Sequence, residues 1–199
     1  METIADGIRT WTWFSAPHGY NFNGLLIAHP EGNICIDPVE ANGADLDEIV
    51  RARPARVLLT NRNHVRAANH VRELTGARVA IHPADATYAR SQGATIDAEL
   101  AAAGRVGPLS VVAVPGKSPG EVAFHWPERR MLIVGDAIVG NPPGRCSLLR
   151  EQVMDDPALL RQSVRRLLEL DFDTLLVGDG LSIMSGARER LRELVATFT

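Results

Sequence analysis

The chain is short of the residues that carry most recognisable chemistry. Its two cysteines, Cys35 and Cys146, lie far apart and in no metal-type spacing. Cys35 sits in the apolar run Ile34-Cys35-Ile36 and reads as a buried thiol. Cys146 follows Pro142-Pro143-Gly144-Arg145 in a loop, a candidate for exposure, but no nearby base can be assigned to activate it. Aromatic residues make up 5% of the sequence, and Trp11, Trp13 and Phe14 alternate as core or interface residues do, not as a nucleic-acid platform. The net charge is only −3, with both signs interspersed, which excludes an electrostatic case for nucleic acid or an anionic membrane. No apolar run approaches the roughly 20 residues needed to span a bilayer. Met1-Glu2-Thr3-Ile4-Ala5-Asp6 lacks the basic and apolar regions of a signal peptide, so a cytoplasmic location is expected. There is no Gly-x-Ser-x-Gly elbow, and the scattered Gly-x-Gly-like fragments lack the context of a dinucleotide site.

What remains is an ordinary globular composition, 45% hydrophobic and 23% charged over 199 residues, with no linker or repeat. That length fits one domain over residues 1–199. Strands are expected at 8–14, 24–28, 33–38 (stopped by its proline) and 56–60, with a helix over 45–52 that puts Leu46, Ile49 and Val50 on one face. A helix of roughly ten residues should end at Gly76, followed by a strand to Ile81 and a helix opening near His82-Pro83-Ala84-Asp85. Three strand-like runs follow at 109–114, 121–126 and 130–134. Asp156-Pro157 starts a helix striped with Leu160, Val164, Leu167 and Leu168. A last strand (173–177) and a last helix (186–198, Leu191, Leu194 and Val195 inward) complete the chain. Pattern alone supports an α/β or α+β class.

Four segments carry more. They are Leu59-Thr60-Asn61-Arg62-Asn63-His64-Val65-Arg66, Pro115-Gly116-Lys117-Ser118-Pro119-Gly120, Val134-Gly135-Asp136-Ala137 and Val177-Gly178-Asp179-Gly180. Their order and spacing resemble the metallo-β-lactamase superfamily, whose motifs read T-H-x-H-x-D-H, P-G-H-T-P-G, G-D and G-H-G. The resemblance implies a four-layer αββα sandwich of two mixed β-sheets flanked by helices. It also implies a hydrolase-type metal site, but the ligands are mostly gone. Asn61, Asn63, Arg66, Lys117 and Asp179 fall on histidine positions, Val65 on the aspartate, and only Asp136 matches a family ligand.

Zinc requires imidazole, thiolate or carboxylate donors, whereas asparagine offers one weak oxygen and arginine none. Asn61 and Asn63 therefore read first as turn and helix caps. His64 occupies a variable slot beside the former ligands, either a base in the pocket or a packing residue. His29, His70, His82 and His125 read as ordinary residues of their segments. Lys117 either sits solvated on its loop or sets an ammonium where a metal would be. On the second reading Lys117 and Arg66 balance Asp136 and Asp179 without any metal, an ion-pair network in place of the zinc ions. Asp136 is a site carboxylate or caps the next turn. The glycines flanking Asp179 allow either a close approach or a tight turn. Asp37 matches a position that steadies the first motif in the family, or simply ends a strand.

The functional expectation is a hydrolase-like protein of unknown substrate, without metal or other cofactor, acting as a binding or regulatory module or a vestigial hydrolase. One alternative is a working hydrolase with a rebuilt site, His64 or Lys117 serving as base and Asp136 orienting it or holding a single weakly bound metal. A structural subunit is the third reading. A small-molecule ligand and a homo-oligomer stand open as partners; nucleic acid and membrane do not.

Overall fold

The computed structural model describes residues 1–198, which divide into two compact units, one over 1–100 and one from 101 onward. The first is built on a seven-stranded sheet of β1 (Glu2–Ala5), β2 (Ile8–Ser15), β3 (Tyr20–Ile27), β4 (Ile34–Ile36), β5 (Arg56–Leu58), β6 (Arg78–Ile81) and β7 (Ala98–Glu99), paired in chain order. β1 to β4 are antiparallel and β4 to β7 parallel. Parallel neighbours need crossovers, supplied by α1 (Gly43–Ala52), α2 (Ala68–Thr75) and α3 (Pro83–Ser91). Each helix has a local reason to start or stop. The Asn42 side chain accepts from Asp45 N–H at the start of α1, Gly76 ends α2 in the left-handed region, and Pro83 opens α3 after a His82 cap. Trp11, Leu26, Cys35, Ile49, Val57, Val71, Val79 and Ile81 form the core of this unit.

The second unit has a five-stranded sheet of β8 (Arg105–Val106), β9 (Leu109–Ala113), β10 (Val122–Trp126), β11 (Met131–Val134) and β12 (Thr174–Val177), in the order β12-β11-β10-β9-β8. β8 to β11 are antiparallel, while β12 runs parallel to β11. The chain returns to β12 through α4 (Pro157–Leu167), capped by the Asp156 side chain accepting from Leu159 N–H at 2.9 Å, and ends in α5 (Ala187–Val195). Leu160, Val164, Leu167 and Leu191 are buried with Phe172, Leu132 and Leu175; Leu168, Leu194 and Val195 are partly buried against them. Two mixed sheets with flanking helices are the elements of the expected αββα class.

The differences from expectation are instructive. β1, β7 and β8 are short edge strands too polar to register as apolar runs. β3 begins at Tyr20 because its first residues pair with Trp13, Phe14 and Ser15 rather than entering the core. Trp11 is core, but Trp13 and Phe14 are exposed. Cys146 is buried against the second core, and burial pushes its thiol up to about 11, with Glu193 adding to the effect. Burial pushes the Cys35 thiol up further still. Among the described residues no helix is long and apolar enough to cross a membrane.

Candidate functional site

In the first unit the chain leaves β5 through buried Leu59 and Thr60 and then turns before α2. Asn61 Oδ1 accepts from Asn63 N–H at 2.8 Å, and His64 N–H donates to Asn61 O at 3.2 Å. Asn61 thus closes a turn, as expected. The helix-capping half of that expectation fails, since α2 begins only at Ala68 without a side-chain cap. Ala67 N–H donates to Pro38 O at 3.0 Å, tying this turn to the end of β4.

There Asp37 has φ of +46°, a conformation uncommon outside glycine, and its side chain is buried. Asp37 Oδ1 accepts from Thr60 N–H at 2.9 Å, and Oδ2 accepts from Thr60 Oγ1–H at 2.6 Å and His64 Nδ1–H at 2.7 Å. The strand-end reading is therefore too small: the carboxylate anchors the first motif. On the far side of the fully buried His64 ring, Arg66 Nη2 lies 3.0 Å from Nε2. A guanidinium has donors only, so Nε2 accepts, which makes His64 a neutral imidazole protonated on Nδ1. The guanidinium also stacks on Phe22, 4.1 Å from the ring centroid. The result is a carboxylate–imidazole–guanidinium chain from Asp37 through His64 to Arg66.

Arg66 lines a half-open cleft of about 230 Å³ with Trp13, Phe22, Val39 and Glu40. None of the last four stood out in the sequence as a site residue; the aromatic alternation along β2 and β3 was the available signal. Asp85, fully buried and accepting from Arg62 N–H at 2.9 Å, was also missed. Its acidic position in the first turn of α3 was visible, its contact was not.

In the second unit the Pro115–Gly120 segment joins β9 to β10. Gly116 has φ of +138°, and a Cβ there would lie 2.3 Å from Leu160 N, so only glycine lets this loop pass the start of α4. Asp156 N–H donates to Gly116 O at 2.7 Å and Ser163 Oγ–H to Pro115 O at 2.8 Å, fixing the backbone beside Lys117. Lys117 Nζ then lies 2.8 Å from Asp136 Oδ2, with both side chains buried. A solvated lysine is excluded. Asp136 follows β11; buried Asp179 follows β12, where Gly178 N–H donates to Val134 O at 2.9 Å. Asp179 O accepts from Gly140 N–H at 2.9 Å, and Gly180 lies against the Gly140 backbone, so the flanking glycine serves a close approach.

Comparisons with known proteins agree with the fold. The profile described as metallo-beta-lactamase superfamily matches residues 4–198, and the chain belongs to that superfamily. It is 34% identical over 130 residues to a hydroxyacylglutathione hydrolase of Cereibacter sphaeroides, covering 62% of this chain and 47% of that one. A counterpart from another strain is 31% identical over 165 residues, covering 80% and 58%. The chain thus spans about half the length of the curated relatives it matches. Among solved structures, TTHA1623 in a di-iron-bound form superposes with a TM-score of 0.68 at 27% identity, covering 91% of this chain and 98% of that one. A metallo-beta-lactamase from Pontibacter korlensis gives 0.80 at 15% identity, covering 99% and 98%.

Proposed function

We propose that this chain is a metal-poor member of its hydrolase-like superfamily, a single domain that keeps the scaffold and serves as a small-molecule-binding or regulatory module without the usual zinc hydrolase activity. The buried Lys117–Asp136 pair carries the reading. Asp136 is the one retained family ligand, and an ammonium at 2.8 Å supplies the positive charge its carboxylate requires.

The other positions support the same view. His64 Nε2 is engaged by Arg66, and Asn61 Oδ1 by its own turn. A dinuclear zinc centre does not fit such a donor set. Elemental analysis of protein purified without chelators tests this. Well under one ion per chain is expected, and one or more tightly bound zinc, iron or manganese ions per chain would overturn it.

A second reading is favoured by the company the chain keeps, relatives named hydroxyacylglutathione hydrolase and a di-iron-bound neighbour. It is a hydrolase with a rebuilt site, Asp136 acting with His64 or Lys117 as base. Turnover of thioester or lactone substrates that Asp136→Asn abolishes would favour it.

A further inference from the structure

Half of the chain's ten aromatic residues, Trp11, Trp13, Phe14, Tyr20 and Phe22, lie on β2 and β3. Side chains alternate along a strand, so Trp11 and Trp13 share one face, with Phe22 directly across from Trp13, while Phe14 points the other way. Trp11 is packed inward over the space that Gly24 leaves opposite it, and its indole N–H donates to Val39 O at 3.0 Å. Trp13 stays 43% exposed, its ring tilted 37° from that of Phe22 at a centroid distance of 5.8 Å. These contacts set the walls of the half-open cleft of about 230 Å³, which Trp13, Phe22 and Val39 line with Glu40 and Arg66. Arg66 gives the cleft positive charge but no open fork: Nη2 is held on His64 Nε2, Nη1 is buried, and Phe22 stacks on the guanidinium. The exposed Glu40 sets a carboxylate against that charge. A cationic ligand meets Arg66 there and an anionic one meets Glu40, and either must shed water against apolar walls.

We infer that this cleft binds a small uncharged molecule built on a flat aromatic ring. The ring packs on Trp13, Phe22 and Val39 and covers indole surface that otherwise faces water. The volume corresponds to roughly eight waters at about 30 Å³ each, room for about ten heavy atoms. The inference rests on reading the chain as a small-molecule-binding module, and it names the class of ligand.

Titration of the full chain with benzyl alcohol, followed by the nuclear magnetic resonance of the Trp13 indole N–H and the Val39 amide, tests it. Saturable binding with a dissociation constant of about 1 mM is expected for a ligand of this size. Benzoate and the benzylamine cation, the same ring with a charge of either sign, should bind about tenfold more weakly. Cyclohexylmethanol, as apolar but without the aromatic face, should bind about threefold more weakly. Trp13→Ala should weaken benzyl alcohol by about tenfold, while Phe14→Ala, on the opposite face of the same strand, should leave it unchanged. No saturable binding of benzyl alcohol, charged analogues that bind as tightly, or equal effects of Trp13→Ala and Phe14→Ala overturns the inference. Should Trp13→Ala not fold, Trp13→Leu keeps an apolar surface without the ring. It is expected to lose the preference over cyclohexylmethanol, and an unchanged preference overturns the inference.

Metal content is measured on the same samples. Metal-free protein that does not bind benzyl alcohol sinks the aromatic-ligand cleft and leaves the metal-poor reading standing. Metal-loaded protein that binds it as expected sinks the metal-poor reading and leaves the cleft standing.

Discussion

Lys117 Nζ lies 2.8 Å from Asp136 Oδ2, and both side chains are more than nine-tenths buried. Removing one partner strands the other charge away from water. Lys117→Ala is therefore expected to cost about 3–5 kcal/mol in urea unfolding, and the double variant Lys117→Met, Asp136→Leu far less. A change in Lys117→Ala below about 0.5 kcal/mol, the range of surface sites, would contradict the pair.

Asp37 accepts three hydrogen bonds from Thr60 and His64. Asp37→Asn keeps the shape and tolerates the left-handed backbone, but turns an acceptor into a donor against groups that donate. A loss of about 2–3 kcal/mol is expected, near the value of charge-assisted bonds. Unchanged stability by denaturant unfolding would show that the carboxylate does not anchor the first motif.

Asp97 is held to about 2, first by its hydrogen bonds from the Arg72 guanidinium and then by Val79 N–H. Its folded value lies below the unfolded value of about 3.9, so its contribution is fully present above that pH and is lost as pH falls toward 2. Asp97→Asn should lower the melting temperature at pH 6, and the gap to the parent should close between about pH 4 and 2. A gap that is constant across that range would mean the carboxylate's charge is irrelevant.

Gly116 and Gly43 make a matched pair. Gly116→Ala forces a Cβ onto Leu160 at positive φ and is expected to destabilise by more than about 1 kcal/mol. Gly43, the first residue of α1, has open space where a methyl group would stand, with nothing within 4 Å, and Gly43→Ala should stabilise by about 0.4–1 kcal/mol. Thermal unfolding of both variants decides; equal effects would refute the close approach at α4.

Both thiols are buried and shifted upward, Cys146 to about 11. Neither should react with a disulfide reagent at pH 8 in native protein within the time that both react once unfolded. Rapid native labelling of one thiol would place Cys146 at the surface.

Legibility followed burial. Runs such as Leu25-Leu26-Ile27 and Met131-Leu132-Ile133-Val134 announce their strands because they are apolar throughout. The Asp156-Pro157 start of α4 was readable because its cap is local. β1, β7 and β8 were not, since edge strands borrow their order from a neighbour. The four motif segments were legible as a set, and Lys117 could be singled out by its place within Pro-Gly-x-Ser-Pro-Gly.

By itself the sequence determined the residue types in the four motif segments and the superfamily they resemble, because those segments are read from residue order alone. Tertiary structure decided which alternative each residue takes. Lys117 is paired rather than solvated because Asp136, nineteen residues on by their numbering, ends a strand beside its loop. His64 is a neutral bridge rather than a packing residue because β4 delivers Asp37 to one ring nitrogen and the turn before α2 returns Arg66 to the other. Those are contacts between segments far apart in the chain or around a tight turn, and side-chain chemistry does not encode them without the backbone that brings the groups within hydrogen-bond reach.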